Sequence, residues 1–576
     1  MAAVRGQIAG FTLAPLVFLV GSVLTAGAAP RPAAVDPPVD DSAVELAGGL
    51  AALALEVGTR VDPMPALAAA RLRPALVTRL AGVVRQLQVC QDASNRLVAG
   101  LPAPPGELLR DNVVPTSPPP GTDDIRVCAD KLKVQGTELM HYLAAAPADQ
   151  GSDLTLWPVL RLDLDGSDDT VDYDYMLSVD SGGNDTYLNN AGASLIDVRR
   201  GPPGSGAQSI KRARGCINPA YDLLAGECVI SEALLVDSAG DDTYGHMESP
   251  DPHLDGLCTA DPLVRRVMTG GVGSWGVGIL LEGGGDDVYL GKSITLGAGH
   301  FGGVGMLIDE SGDDSYTAIR SAKGFATLFG LGVFEDGAGD DTYSYYLPRP
   351  LDPKAEDRTL GAGGALDTGG TCDKISRWEE GSGFLGGVGV FFDQGGSDNY
   401  EVASPSSHEP GASEIIRSTG SLGFGDGGFG LFVDGAGRDT YTGMPDRGDG
   451  QTVGPSDASQ GFFHDAAGGA ASRPAAEPGD PAGAALTAWF THYIPDTVNV
   501  EKGGTLDFFN PDLYGGPFGG RAHTITEVRA DGPPRFDVKV PWGTSATIGG
   551  VGELDSGTYP FSCRIHPFMH GTLVVR

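Results

Sequence analysis

Between residues 160 and 445 the chain repeats one short pattern, and this limits the fold more than any other feature of its 576 residues. Seven times an acid, a glycine, an aspartate and a tyrosine recur as (Asp/Glu)-x-x-Gly-x-Asp-x-Tyr, closing on Tyr187, Tyr244, Tyr289, Tyr316, Tyr343, Tyr400 and Tyr441. Ten residues before each tyrosine stands an apolar residue: Leu177, Leu234, Ile279, Met306, Val333, Val390 or Leu431. The shortest spacing, Tyr289 to Tyr316 to Tyr343, is 27 residues, and the others are longer by insertion. A unit this small buries no core alone, but stacked copies do. A period of that length suits one coil of a parallel β-solenoid, whereas propeller blades need about 40 residues. The tyrosine and the apolar residue ten before it are expected to stack inside or along one face. Glycine would sit at the tight corners that a Cβ blocks.

The acids of the repeat fall into columns. The first acids are Asp180, Asp237, Glu282, Asp309, Asp336, Asp393 and Asp434; the second are Asp185, Asp242, Asp287, Asp314, Asp341, Asp398 and Asp439. Four more, Asp241, Asp286, Asp313 and Asp340, stand just before the second. Stacked coil on coil, these carboxylates repel one another unless a cation or water screens them. Two readings follow. The aspartates cap turn N–H groups, or they hold calcium, with Asp237, Asp242, Asp287, Asp309, Asp314, Asp336, Asp341, Asp393 and Asp398 as candidate ligands. The region faintly resembles the Gly/Asp-rich nonapeptide repeats of calcium-binding β-rolls, though its unit differs from theirs.

A second pattern lies near the C-terminus. His523 is followed 40 residues later by Cys563-Arg-Ile-His566-Pro-Phe-Met569-His570. A thiolate and two imidazoles in a plane, with a weak thioether on the axis, suit copper in both oxidation states and favour one-electron transfer. Three donors within seven residues can come from one loop while the fourth comes from a strand across the fold. The flanks Thr497–Val500, Thr505–Phe509 and Gly571–Val575 read as short strands.

On these residues the last 90 or so positions resemble the plastocyanin/azurin family of cupredoxins, with a loop most similar to that of amicyanin-type members. The resemblance implies a Greek-key β-sandwich with His523, Cys563, His566 and Met569 as ligands of one type 1 copper ion. It also implies that His566 is the electron port, collared by Pro567 and Phe568. The Gly-rich segment Asp512–Ala522 is longer than the family's usual approach to the first histidine. None of the ten histidines forms His-x-His, so a trinuclear copper cluster is not expected.

The N-terminus and the cysteines point to export. Arg5 precedes an apolar run from Ile8 to Ala26, and Ala26-Gly-Ala28 suits signal cleavage, so residues 1–28 read as a secretory signal or an uncleaved anchor. No later stretch is apolar enough to span a bilayer. With Cys563 assigned to copper, Cys90, Cys128, Cys216, Cys228, Cys258 and Cys372 remain, an even six that suggests up to three disulfides. Cys90–Cys128 and Cys216–Cys228 are the local pairings, leaving Cys258 with Cys372. A net charge of −36 excludes a general nucleic-acid binder.

The expected architecture is multidomain and mainly β. Residues 41–150 form a disulfide-tied helical domain at the first edge of the stack, with Ser42-Ala-Val-Glu45 as a capping box. Residues 160–445 form the repeat β-solenoid, 466–484 a flexible linker, and 485–576 the cupredoxin domain. Arg447-Gly-Asp449 spells an adhesion tripeptide but reads as chance in a Gly/Asp-rich region. The function expected is that of an exported, non-enzymatic electron carrier with a redox partner protein. The alternative is a cell-surface adhesion or binding protein with calcium-binding repeats, in which copper is stored or structural. An enzyme built on the repeat face has weak support, because acids this regular single out no catalytic pair.

Overall fold

The computed structural model describes chiefly residues 39–110, 117–145, 151–198, 228–245 and 269–345, short stretches of 383–467, and most of 484–576. The signal segment, Arg447–Asp449, Pro567, Phe568 and most of the Gly-rich approach and of the linker lie outside the described residues. So do Cys216, Cys258 and Cys372.

The protein is mainly β, with five α-helices among the described residues. One strand from each repeat joins a parallel sheet: Leu177–Asp180, Ala233–Val236, Val277–Glu282, Val304–Asp309, Leu331–Asp336, Val388–Asp393 and Phe429–Gly437. The tyrosines lie on a second parallel sheet, each paired in register with the next. Short strands such as Gly273–Ser274, Gly299–His300 and Ala326–Thr327 form a third. Neighbouring tyrosine rings from Tyr187 to Tyr441 stack face to face, with centroids between 4.6 and 5.1 Å apart. That spacing is the distance between paired strands, about 4.7–4.9 Å, so identical side chains in register must stack.

The tyrosine's partner is one residue later than the repeat suggested. Leu235, Leu280, Leu307, Phe334, Phe391 and Phe432, nine before the last six tyrosines, share their core. The residues ten before, such as Leu234, Ile279 and Met306, point to the other face and pack in a separate core with the helices. Alternation along a strand forces this split. Because Val277–Glu282 and Val304–Asp309 are buried at every position, the sequence carries no polar face to tell inside from outside.

Helices α1 (Val39–Glu56), α2 (Pro63–Ala70), α3 (Pro74–Ala99), α4 (Pro105–Arg110) and α5 (Thr122–Ala145) supply the cover for that second face. They lie over the flat of the parallel sheet and are not an end cap. Gly136 of α5 sits so close that a Cβ would come 2.6 Å from Leu281 Cδ1. Lys133 Nζ meets Glu335 at 2.9 Å, and Arg126 Nη2 donates to the Phe329 carbonyl at 3.0 Å. The first edge is closed instead by Leu154–Leu156, antiparallel to Leu160–Asp163, and the last by Thr452–Val453, antiparallel to Phe462–Ala467. Ser42 is inside α1, not at its cap, and its hydroxyl lies 3.3 Å from that of Thr78.

Two strands extend the stack beyond the seven repeats. Leu160–Asp163 pairs parallel with Leu177–Asp180, and Phe462–Ala467 with Phe429–Gly437. Alignment on tyrosine misses the first because Val171 pairs with Tyr187 where a tyrosine would stand.

Cys90 of α3 and Cys128 of α5 form the expected disulfide, spanning 38 residues, and Cys228 is disulfide-bonded as well. A loop of that length restricts the unfolded chain by about 4 kcal/mol in the loop-entropy account. The double variant Cys90→Ala/Cys128→Ala should lower the stability of the helical layer by about 2–4 kcal/mol in urea titrations followed by far-UV circular dichroism.

His141 of α5 bonds Glu310 at 2.6 Å, and this carboxylate raises its pKa although partial burial opposes. A raised folded-state pKa means the pair contributes below the ordinary histidine value and fades as pH rises through the folded value. In an NMR titration His141 should have a midpoint above 6.5, and Glu310→Gln should remove the elevation. An unshifted midpoint would show that the pair does not form in solution.

Candidate metal centre

Residues 484–576 fold into two sheets facing each other across one core. One sheet contains His492–Ile494, Ala484–Trp489, Leu506–Phe509 and Ser545–Thr547; the other Thr497–Val500, His570–Val575, Gly557–Ser562, His523–Glu527 and Asp537–Val540. Leu486, Tyr493 and Phe508 from the first meet Val498, Ile525, Phe561 and Leu573 from the second. Apolar residues alternate along Thr497–Val500 and cluster in Leu506–Phe509, as a half-buried sandwich strand requires.

His523 opens its strand in register with Val540, and Cys563 follows directly after Gly557–Ser562. The loop from Cys563 to Met569 closes on itself: Met569 N–H donates to the His566 carbonyl at 2.9 Å, and Cys563 N–H to the Met569 carbonyl at 3.0 Å. This turn brings donors spaced three residues apart back to one point. Cys563 Sγ lies 3.7 Å from His523 Nδ1 and 3.6 Å from His566 Nδ1, and the two nitrogens are 3.1 Å apart. All three side chains are buried, and Met569 is buried in the same core as Cys563. His566 is 4 % exposed, with Ile565 beside it 42 % exposed, and His570 is exposed.

The separations test the fit of an ion. An atom about 2.0–2.3 Å from each donor, the range for nitrogen and sulfur ligands of a small divalent ion, places donors roughly 3.5 Å apart in a trigonal plane. The observed triangle fits. The thiol is prepared for the role. Burial alone would push the Cys563 pKa up, but His523 and backbone N–H groups of Thr524, Ile565 and His566 outweigh it and bring it down to about 6. Thr524 N–H donates to the sulfur at 3.3 Å.

Three supports were not visible in the sequence. The Tyr493 hydroxyl donates to the Thr524 carbonyl at 2.6 Å, fixing the strand that carries His523. Thr524 Oγ1 accepts from Arg564 N–H at 2.8 Å, tying the loop to that strand. Asn510 Nδ2 donates to the carbonyl of Val540, the residue paired with His523, at 3.0 Å. Each is a polar residue close to a candidate ligand, but only the fold shows which backbone group it meets.

The candidate calcium residues are elsewhere, inside the stack. Asp237, Asp242, Asp287, Asp309, Asp314, Asp336, Asp341, Asp393 and Asp398 are all buried. The first acids face the tyrosine hydroxyls: Tyr289 donates to Asp309 at 2.6 Å, Tyr343 to Asp336 at 2.8 Å and Tyr400 to Asp393 at 3.0 Å. The second aspartates form a ladder in which Oδ1 of each accepts the N–H of its counterpart one repeat back. The rungs run Asp242–Asp287 at 2.5 Å, Asp287–Asp314 at 2.6 Å and Asp314–Asp341 at 2.7 Å. Asp241, Asp286, Asp313 and Asp340 form a parallel ladder exposed to solvent.

Two facing sheets over one core, with a buried cysteine and two histidines meeting at one point, are what the resemblance to cupredoxins implies. No family model and no curated protein matches the chain. Among solved structures, a reduced amicyanin variant is 20 % identical over 16 % of this chain and 80 % of its own, with a TM-score of 0.12. A purple cupredoxin from Nitrosopumilus maritimus is 17 % identical over 16 % of this chain and 98 % of its own, with a TM-score of 0.13. A copper-containing nitrite reductase from Thermus scotoductus is 24 % identical over 18 % of this chain and 24 % of its own, with a TM-score of 0.15. At such scores these likenesses carry no weight.

Proposed function

We propose that residues 485–576 hold one type 1 copper ion and pass single electrons, and that the stacked sheets are a β-solenoid scaffold carrying this module. The observation behind it is the convergence of Cys563 Sγ and two imidazole nitrogens within 3.1–3.7 Å in a buried pocket. His523, Cys563, His566 and Met569 would hold the ion, and copper bound by a thiolate, two imidazoles and a thioether would supply one-electron redox chemistry. The chain's contribution is rigidity. The closed loop, the Thr524 bridge and the Tyr493 anchor hold the donors in place, and burial excludes water. A thiol with its pKa brought down to about 6 is ready as thiolate at neutral pH.

With four protein ligands no coordination position is left for a substrate, so the reading is a carrier and not an enzyme. An exported protein with a redox partner is consistent with paired cysteines, and no helix among the described residues is long and apolar enough to cross a membrane. The test is a redox titration of the copper-loaded full chain followed by visible absorption. Reversible bleaching and return of a blue band, with one copper per chain, is the expected result. Copper that binds but cannot be cycled would assign it a structural or storage role.

A further inference from the structure

The interior acids of the stack gather in groups of three, and the first strand of the parallel sheet shows how the charge is met there. Arg161 occupies an inward position of Leu160–Asp163, buried, with three carboxylates around its guanidinium. Its Nη1 donates to Asp180 at 2.6 Å, and its Nη2 to Asp163 at 2.8 Å and to Asp169 at 3.1 Å. In later coils the register replaces Arg161 by Ser178, Leu235, Leu280, Leu307, Phe334, Phe391, Phe432 and Phe463. None of these carries charge, yet the acids continue.

Some carboxylates of those repeats keep an oxygen with no hydrogen-bond partner. Asp185 Oδ2, Asp237 Oδ1 and Asp242 Oδ2 are such atoms, on side chains no more than 1 % exposed. By contrast, every oxygen of Asp287, Asp309 and Asp314 accepts a hydrogen bond. The groups Asp180/Asp185/Asp237, Asp237/Asp242/Glu282 and Asp287/Asp309/Asp314 each bring three carboxylate oxygens within 4.8 Å of one another. Ligands about 2.3–2.6 Å from one calcium ion span at most about 5 Å, so each trio matches a single shell. Leaving such charges buried and unpaired is costly, and a hard cation or a proton must relieve it. Burial and the neighbouring carboxylates push Asp242 and Asp398 up, so in the absence of a cation these groups hold protons.

We propose that divalent cations of the calcium class occupy the interior acid column beyond Arg161, between successive coils, with the tyrosine hydroxyls against the same carboxylates. The site is the buried column and not the exposed ladder of Asp241, Asp286, Asp313 and Asp340. This is independent of the copper reading, because no residue is shared and the same experiment applies to Cys563→Ser.

The full chain is stripped with chelator at neutral pH, equilibrated with calcium chloride, and its bound calcium counted. Terbium is then titrated under tyrosine excitation. Two or more calcium ions per chain and tyrosine-sensitised terbium emission quenched by calcium are expected. Asp242→Asn should lower the count by at least one, while Asp241→Asn on the exposed ladder leaves it unchanged. If Asp242→Asn does not fold, the parent protein decides through its thermal midpoint with and without calcium. Fewer than two bound ions, no shift in that midpoint, or loss of binding in Asp241→Asn alone would overturn the proposal. Stability that rises as pH falls, indifferent to calcium, would assign the interior charge to shared protons.

Discussion

Replacing Cys563 with serine is expected to abolish the intense visible band of the copper-loaded protein and to weaken copper binding by more than ~100-fold. The magnitude follows from position: groups that only orient a metal ligand already cost about 10–100-fold when lost, and Cys563 is a proposed ligand itself. A serine hydroxyl does not ionise near neutral pH, so the pocket would lose its negative charge and its soft donor at once. The fold should survive, since serine is of similar size and Thr524 N–H keeps an acceptor where it now donates to sulfur at 3.3 Å. Far-UV circular dichroism and the thermal midpoint are therefore the controls. Absorption and paramagnetic resonance on parent and variant settle the matter together: a variant still blue would remove Cys563 from the coordination sphere. A parent that takes up no copper would leave a sandwich whose buried thiol and imidazoles serve packing alone.

The meeting of Cys563 with His523 and His566 was legible in the sequence because most of its signal is local. Cys563, His566 and Met569 share one loop, and a turn can return residues at that spacing to one point without knowledge of the rest. The supports were illegible because they depend on which strand lies beside which: nothing in the order of residues says that Tyr493 reaches the Thr524 carbonyl. The repeat was legible for a related reason. Side chains in register on parallel strands must stack, so Tyr289, Tyr316 and Tyr343 at equal intervals announce a column. What failed was the assignment of faces. Ile279 and Leu280 are both apolar and both buried, and only the presence of α5 on one side separates helix-facing from tyrosine-facing positions. The same ambiguity hid the role of the helices. A sheet apolar on both faces calls for a cover, but a segment rich in leucine upstream of it reads equally well as a cap for its edge. The first strand of the stack escaped notice because its columns change identity: Arg161 replaces an apolar residue and Val171 replaces tyrosine.

The glycine of each repeat leads to the largest stability effect expected from one atom group. Gly240, Gly285, Gly312 and Gly339 each lie beneath the carbonyl of the matching glycine one coil back. A Cβ would stand 1.6, 1.5, 1.7 and 1.6 Å from that oxygen, respectively. Gly240 also has φ of +146°, which an L side chain rarely adopts. To bring the contact of Gly240→Ala from 1.6 Å to the 3.0 Å that real Cβ atoms observe, two coils must part by about 1.4 Å. They are held on both flanks. Thr243 N–H donates to the Asp185 carbonyl at 2.8 Å, Gly245 N–H to the Tyr187 carbonyl at 3.0 Å, and Leu234 N–H to the Met176 carbonyl at 2.9 Å. Parting them breaks several such bonds at about 1 kcal/mol each, unstacks Tyr187 from Tyr244, and adds backbone strain of about 1–3 kcal/mol. The sum exceeds about 4 kcal/mol, in the range reserved for severe substitutions. Gly48→Ala, in α1 with nothing within 4 Å of its Cβ, is the control and should stabilise by up to ~1 kcal/mol through helix propensity. Urea unfolding followed by near-UV circular dichroism reads the stacked tyrosines directly and separates the repeat from the sandwich. If Gly240→Ala unfolds within about 1 kcal/mol of the parent, the coils are not in backbone contact at this corner, and glycine there serves the turn alone.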